Sequence, residues 1–177
     1  PLEMEGTYPL PEAQLDRFFF KVLVRYIRLD ELKEVLTRTT ETSTPDAARV
    51  MDGPAILRWR GLVRQVVAAD HVKDYAARVV LATHPQGPHA VEATNKYVRY
   101  GASPRGAQAI LMAGKVRALL AGRYNVAFED VKAVAHAALR HRIILNFEAE
   151  AEGVAPDAVL DRVLEGVPTE AKLAAKA

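Results

Sequence analysis

From Asp70 to Glu165 the apolar residues of this chain recur at three- and four-residue intervals, and many of them are alanine. That pattern confines most of the chain to closely packed helices. Val72, Tyr75, Ala76, Val79 and Val80 fall at i, i+3, i+4, i+7 and i+8. Ala107, Ile110, Leu111, Gly114 and Ala118 make a second stripe, Val131, Val134, Ala135, Ala138 and Leu139 a third, and Val159, Leu160, Val163 and Leu164 a last one within Pro156 to Glu165. Of the thirty alanines, twelve lie between positions 101 and 150, where small side chains let helix axes approach closely. Asp70 is placed to cap the first of these helices, and Ser103-Pro104 opens the second with a capping hydroxyl followed by a proline at the first helical position. Pro85 to Tyr100 interrupts the pattern as an excursion, with a turn of helix expected near Ala90 to Tyr97.

Upstream the signals are mixed. Glu12 to Arg17 can form one helical turn. From Phe18 to Tyr26 the period changes to two, with Phe18, Phe20, Val22, Val24 and Tyr26 facing one way and Phe19, Lys21, Leu23 and Arg25 the other, which predicts a single β-strand. Leu32, Val35, Leu36 and Thr39 follow as a short amphipathic helix capped by Asp30, then the polar run Thr39 to Asp46. Ile56, Trp59, Leu62, Val63, Val66 and Val67 return to helical spacing. Thr169 to Ala177 forms helix readily but has little to bury. The expected fold is mainly α, a helical bundle preceded by a loop and one strand.

Composition removes several classes of function. There is no cysteine, so disulfides, thiolate nucleophiles and cysteine-held metal sites are excluded. A net charge of +2 spread along 177 residues gives no basic stripe for a phosphate backbone, so nucleic acid is not an expected partner. No apolar run approaches the ~20 residues of a spanning helix, and membrane insertion is not expected. The G-x-x-x-x-G-K-[ST] loop is absent, since the only Gly-Lys pair, Gly114-Lys115, is followed by Val116 inside a helical stripe. Asp30-Glu31 reads as a helix start rather than a metal-binding acid pair. The five histidines show no i, i+4 pairing, His84 and His89 in their Pro/Gly loop give only a weak metal candidate, and Ser43 and Ser103 fit loop and cap roles without a nucleophile elbow. No metal site is expected.

Two arginines stand out. Arg105 lies at the second position of a helix whose N-terminus carries free N–H groups and the positive end of the dipole, so it either pairs with a surface carboxylate or faces an anion. Arg17 stands where a helical turn meets the expected strand, and its local context favours a pair with Asp16 or Glu12.

The run Gly6-Thr7-Tyr8-Pro9-Leu10-Pro11-Glu12-Ala13-Gln14-Leu15-Asp16-Arg17-Phe18 resembles the segment after the sensor 1 strand of MoxR-type AAA+ ATPases, and Gly101-Ala102-Ser103-Pro104-Arg105-Gly106 resembles their sensor 2 motif. Gly122-Arg123-Tyr124, Phe128-Glu129-Asp130-Val131 and Leu139-Arg140-His141-Arg142 resemble the family's C-terminal helices, so the likeness covers roughly residues 1 to 165. It implies that residues 1–28 are a remnant of an α/β core including its last strand, 29–166 a helical lid, and 167–177 a tail. It further implies ATP and Mg²⁺ as cofactors of an intact parent, Arg17 as an arginine finger reaching a neighbouring subunit's γ-phosphate, and Arg105 as the sensor 2 arginine reaching the nucleotide of its own subunit. A cytoplasmic homo-oligomeric ring, often of six, acting on client proteins with von Willebrand A-type domain partners, follows from the same likeness. Pro1 in first place reads as the start of a piece, with the phosphate-binding loop and acid pair upstream, so the chain alone is expected neither to bind ATP tightly nor to hydrolyse it. One departure is Ala127, where the family commonly offers a Ser or Thr cap worth about 1 kcal/mol. Two other readings fit the residues: a free-standing helical adaptor whose grooves hold a partner, and a helix-turn-helix DNA binder built on Ala127 to Arg142, against which the missing short turn before a basic helix counts.

Overall fold

A computed structural model describes residues 10–40 and 46–169. Gly6 to Pro9 of the first motif, Ser43 and the tail from 170 onward lie outside them. Nine helices and two short strands occur among the described residues: α1 (Glu12–Leu15), α2 (Leu29–Thr40), α3 (Gly53–Gln65), α4 (Asp70–Leu81), α5 (Glu92–Tyr97), β1 (Val98–Tyr100), α6 (Pro104–Leu120), α7 (Phe128–Leu139), β2 (Ile144–Leu145), α8 (Phe147–Ala151) and α9 (Pro156–Gly166). The chain is mainly α, as its periodicity requires. It divides into two compact units, one of residues 1–21 with 62–177 and one of residues 22–61.

The first unit holds the core. Each apolar residue expected on α4 and α7 is buried, as are Val159, Leu160 and Val163 of α9. On α6 the buried stripe is Gly106, Ala109, Ile110, Ala113, Gly114 and Ala118, turned by about one residue from the expected one, so that Ala107 and Leu111 are only half-buried. The alanines and glycines of α6 allow α7 to lie close, and a Cβ on Gly114 would stand 3.1 Å from a methyl of Val126. Tyr75 at the centre packs edge-on against Phe128, ring centroids 5.3 Å apart.

Helix starts depart from expectation at several points. Asp70 is the first helical residue, with Ala69 before it, and its carboxylate takes Lys73 instead of capping. α2 begins one residue before Asp30, and the carboxylate that closes its first turn is Glu31, which accepts from Arg28 N at 2.8 Å. At α7 the missing hydroxyl of Ala127 is offset from the other side, since Asp130 accepts from the Ala127 backbone N–H at 2.9 Å. This is one half of a capping box. α3 stops at Gln65 because Val66 is buried in the core and Val67 N–H and C=O bond Tyr124 and Val126.

The expected strand over Phe18 to Tyr26 is not formed. These residues run without a ladder, and the paired strands among the described residues are β1 and β2, antiparallel, with Val98 opposite Leu145 and Tyr100 opposite Ile144. Alternation records which side a residue faces in an extended chain; a strand also needs a neighbour, and no described residue pairs with 22–26. β1 and β2 have three and two residues, too few to show a period.

The second unit contains α2 and α3 up to Gly61. No residue of α2 or α3 is buried.

Candidate functional site

Thr83 and His84, at the end of α4, position the start of α6. The buried Thr83 hydroxyl accepts from Ala102 N at 2.9 Å and donates to Val80 C=O, while His84 Nε2–H donates to Ala102 C=O at 2.9 Å. His84 is thereby used structurally, and no cluster of three potential metal ligands occurs among the described residues. Gly101 makes this grip possible, because a Cβ there would lie 2.7 Å from both Thr83 C=O and the His84 ring. Ser103 then caps α6 by accepting from Arg105 N at 3.2 Å.

At this helix start stands Asp16, 87 residues earlier in sequence. The Ser103 hydroxyl donates to its carboxylate at 2.8 and 3.0 Å, and Arg105 Nη1 donates at 2.8 Å. Asp16 is the anion that balances a cation at the positive end of α6. Of the two readings open for Arg105, the carboxylate pair is the one present in this structure, with a guanidinium that remains about half exposed. Arg17, the next residue, is exposed and has no partner among the described residues, neither Asp16 nor Glu12.

Beneath Asp16 lies Arg142, just past α7, with a side chain only 2% exposed. Its Nη2 donates to the carbonyls of Asp16 at 3.0 Å and Phe18 at 2.7 Å, its Nη1 to Phe19 at 3.2 Å and to Ala138, and its Nε faces Asp16 Oδ1 at 3.3 Å. His141 Nε2–H also donates to Phe18 C=O at 2.9 Å, Arg140 Nη1 to Lys21 C=O at 3.2 Å, and Lys21 N–H to Ala137 C=O at 2.9 Å. The three basic residues that follow α7 therefore hold the segment 16–21, and the basic end that a DNA-binding reading needs faces the protein's own backbone.

The electrostatics follow from this geometry. Burial pushes the Asp16 carboxyl up, but hydrogen bonds from Arg105 and Ser103 and the charges of Arg142 and Arg105 outweigh it and hold it below the ordinary aspartate value. Burial pulls Arg142 down and the Asp16 carboxylate opposes the pull. Burial also lowers His141, more than its bond to Phe18 raises it. A cleft of about 460 Å³ opens beside the cluster, lined by Glu12, Asp16, Lys21, Ser103, Arg140 and His141 among others. Sequence reasoning missed Asp16 and Arg142 as site residues. The three consecutive basic residues after a helix were the available signal, and their target could not be read from local spacing.

Residues 90–163 match the AAA lid domain family. The chain is 37% identical to Chaperone MoxR1 of Mycobacterium tuberculosis over 167 residues, which is 94% of this chain and 44% of that protein. It is 29% identical to Protein MoxR of Paracoccus denitrificans, covering 96% of this chain and 54% of that one. The crystal structure of a protein described as an ATPase from Cytophaga hutchinsonii superposes with a TM-score of 0.88 at 36% identity, over 95% of this chain and 51% of that one. The chain thus spans about half the length of the curated relatives it matches.

Proposed function

The chain belongs to the MoxR-type AAA+ ATPase family, and we propose that it is the lid portion of an ATPase that couples ATP binding and hydrolysis to chaperone-like remodelling or maturation of client proteins. In this reading residues 1–28 belong to the α/β core and 29–166 to the lid. The phosphate-binding loop and the acid pair that holds Mg²⁺ come from the rest of the protein. ATP and Mg²⁺ supply the transferable phosphoryl group and the charge that neutralises it; the residues of this chain supply Arg17 as arginine finger and Arg105 as sensor 2. A planar, permanently charged fork suits both roles, because it can meet two oxygens of a phosphoryl group at once. A cytoplasmic ring of subunits, with von Willebrand A-type partners, completes the reading.

The observation that carries it is Asp16, whose carboxylate bonds Arg105 at 2.8 Å and whose main chain leads directly into Arg17. The helix start and the partly exposed guanidinium make a seat for an anion, and in this structure a carboxylate occupies it. The same contact argues that the two arginines serve one nucleotide, in place of the separate own-subunit and neighbouring-subunit roles the sequence suggests. Subunit mixing in the full-length ring tests this. Arg17→Ala and Arg105→Ala should each lower hydrolysis by about 10³-fold or more. Each should regain activity when mixed with subunits defective in the phosphate-binding loop, since both arginines then reach a neighbour's intact site. Rescue of Arg17→Ala alone would return Arg105 to its own subunit, and full activity of both single variants would remove the reading.

A further inference from the structure

One buried guanidinium contacts the backbone on both sides of Arg17. Arg142 Nη2 bonds the carbonyl before it, at Asp16, and the one after it, at Phe18, while Nη1 bonds Phe19 and Ala138 of α7. Through its contact with Asp16 Oδ1 at 3.3 Å the same guanidinium abuts the carboxylate that holds Ser103 and Arg105. A continuous path of polar contacts therefore joins Arg105 to the turn that carries Arg17. Moving that turn away from α7 would leave a buried cation with only the Ala138 carbonyl, a costly outcome in an interior. Lysine cannot replace this arrangement, because an ammonium is a single point donor and cannot serve the Asp16 and Phe18 carbonyls while also reaching Phe19, Ala138 and the Asp16 carboxylate, as Nη1 and Nε do here.

We propose that Arg142, acting through Asp16, is a positioning residue that holds Arg17 and Arg105 in one register, so that both guanidiniums meet the same phosphate together. The inference rests on the roles given above to Arg17 and Arg105. Arg142 touches no substrate; its effect is on where the two exposed arginines stand.

The test is a double-mutant cycle in the full-length ATPase, reading kcat and KM for ATP with the melting temperature of each variant. Arg142→Lys should keep KM within about twofold and lower kcat by about 10–100-fold, the penalty of misplacing a group by about an ångström. Arg142→Lys combined with Arg17→Ala should lose less than the product of the two single losses, because one of the two groups that Arg142 positions is already gone. A purely structural role would give losses that multiply. Asp16→Asn, nearly the same shape, should show the same lack of additivity, and it carries the test if Arg142→Lys does not fold. Multiplying losses, or a wild-type kcat in both Arg142→Lys and Asp16→Asn, overturns the inference while a slow Arg17→Ala leaves the functional reading standing. A fully active Arg17→Ala overturns the inference, and full activity of Arg105→Ala as well overturns both.

Discussion

Asp130 accepts both terminal nitrogens of Arg123, at 2.8 and 2.9 Å, and the Ala127 N–H, with a side chain almost wholly buried. Burial pushes its carboxyl up, and Arg123 and the Ala127 N–H more than reverse that, so it stays charged below the ordinary aspartate value. Arg123→Met would leave the carboxylate with the backbone N–H and Arg117, whose Nε stands 3.9 Å away. A clear loss of stability is expected, and Asp130→Asn, which removes the charge together with the need for it, should cost less. Urea unfolding of the two variants decides the order. Acid acts on the same groups. His141 is held below the ordinary histidine value, neutral, with Nε2–H on Phe18, so its stabilisation is lost first, as pH falls below about 6.5. Asp16 and Asp130 have depressed values, so their contribution is complete above about pH 4 and disappears as pH falls further. The melting temperature should therefore drop in two stages on acidification, and His141→Gln should flatten the upper stage.

At the scale of elements, the helices were legible because a stripe at a 3.6-residue period can be buried only one way, and α4 and α7 bury the expected residues. The expected strand over 18–26 misled because alternation of Phe, Val and Tyr says how an extended chain would face and nothing of whether a partner is beside it. The start of α6 was legible from Ser103-Pro104, whereas Asp16, which completes the site, was not, because its contacts cross 87 and 89 residues of sequence. Gly101 and Gly106 bound this element and differ sharply. A Cβ on Gly101 meets backbone and a fixed imidazole at 2.7 Å, while one on Gly106 meets the end of the flexible Leu139 side chain at 2.8 Å. Gly101→Ala should cost about 1–3 kcal/mol and displace Ser103 and Arg105, because backbone must shift. Gly106→Ala offsets its contact with about 1 kcal/mol of helix propensity and should unfold close to the parent. Equal losses at both positions would show that the loop before α6 gives as readily as a leucine methyl.

Over the whole molecule, stability is expected to be uneven. α4, α6 and α7 share a core that includes Val79, Ile110 and Val134, whereas α2 and α3, of 12 and 13 residues, bury none. Helices of that length are marginal on their own in water, and the exposed pairs Arg28–Asp30 and Arg38–Glu34 add at most about 1 kcal/mol each. Leu57 and Trp59 are more than half exposed, and Val24 and Tyr26 about nine-tenths. Local opening of residues 22–61 should therefore have a free energy far below that of the first unit. Hydrogen exchange on this chain checks it: α2 amides should exchange within about tenfold of unprotected rates, and those of α4, α6 and α7 only through global unfolding. Joining the remainder of the length that the longer relatives have should protect α2 if that remainder is what covers its apolar side chains. Amides of α2 as slow as those of α6 in the isolated chain would instead mean that the unit is already covered in solution, and sedimentation would then have to show a second copy.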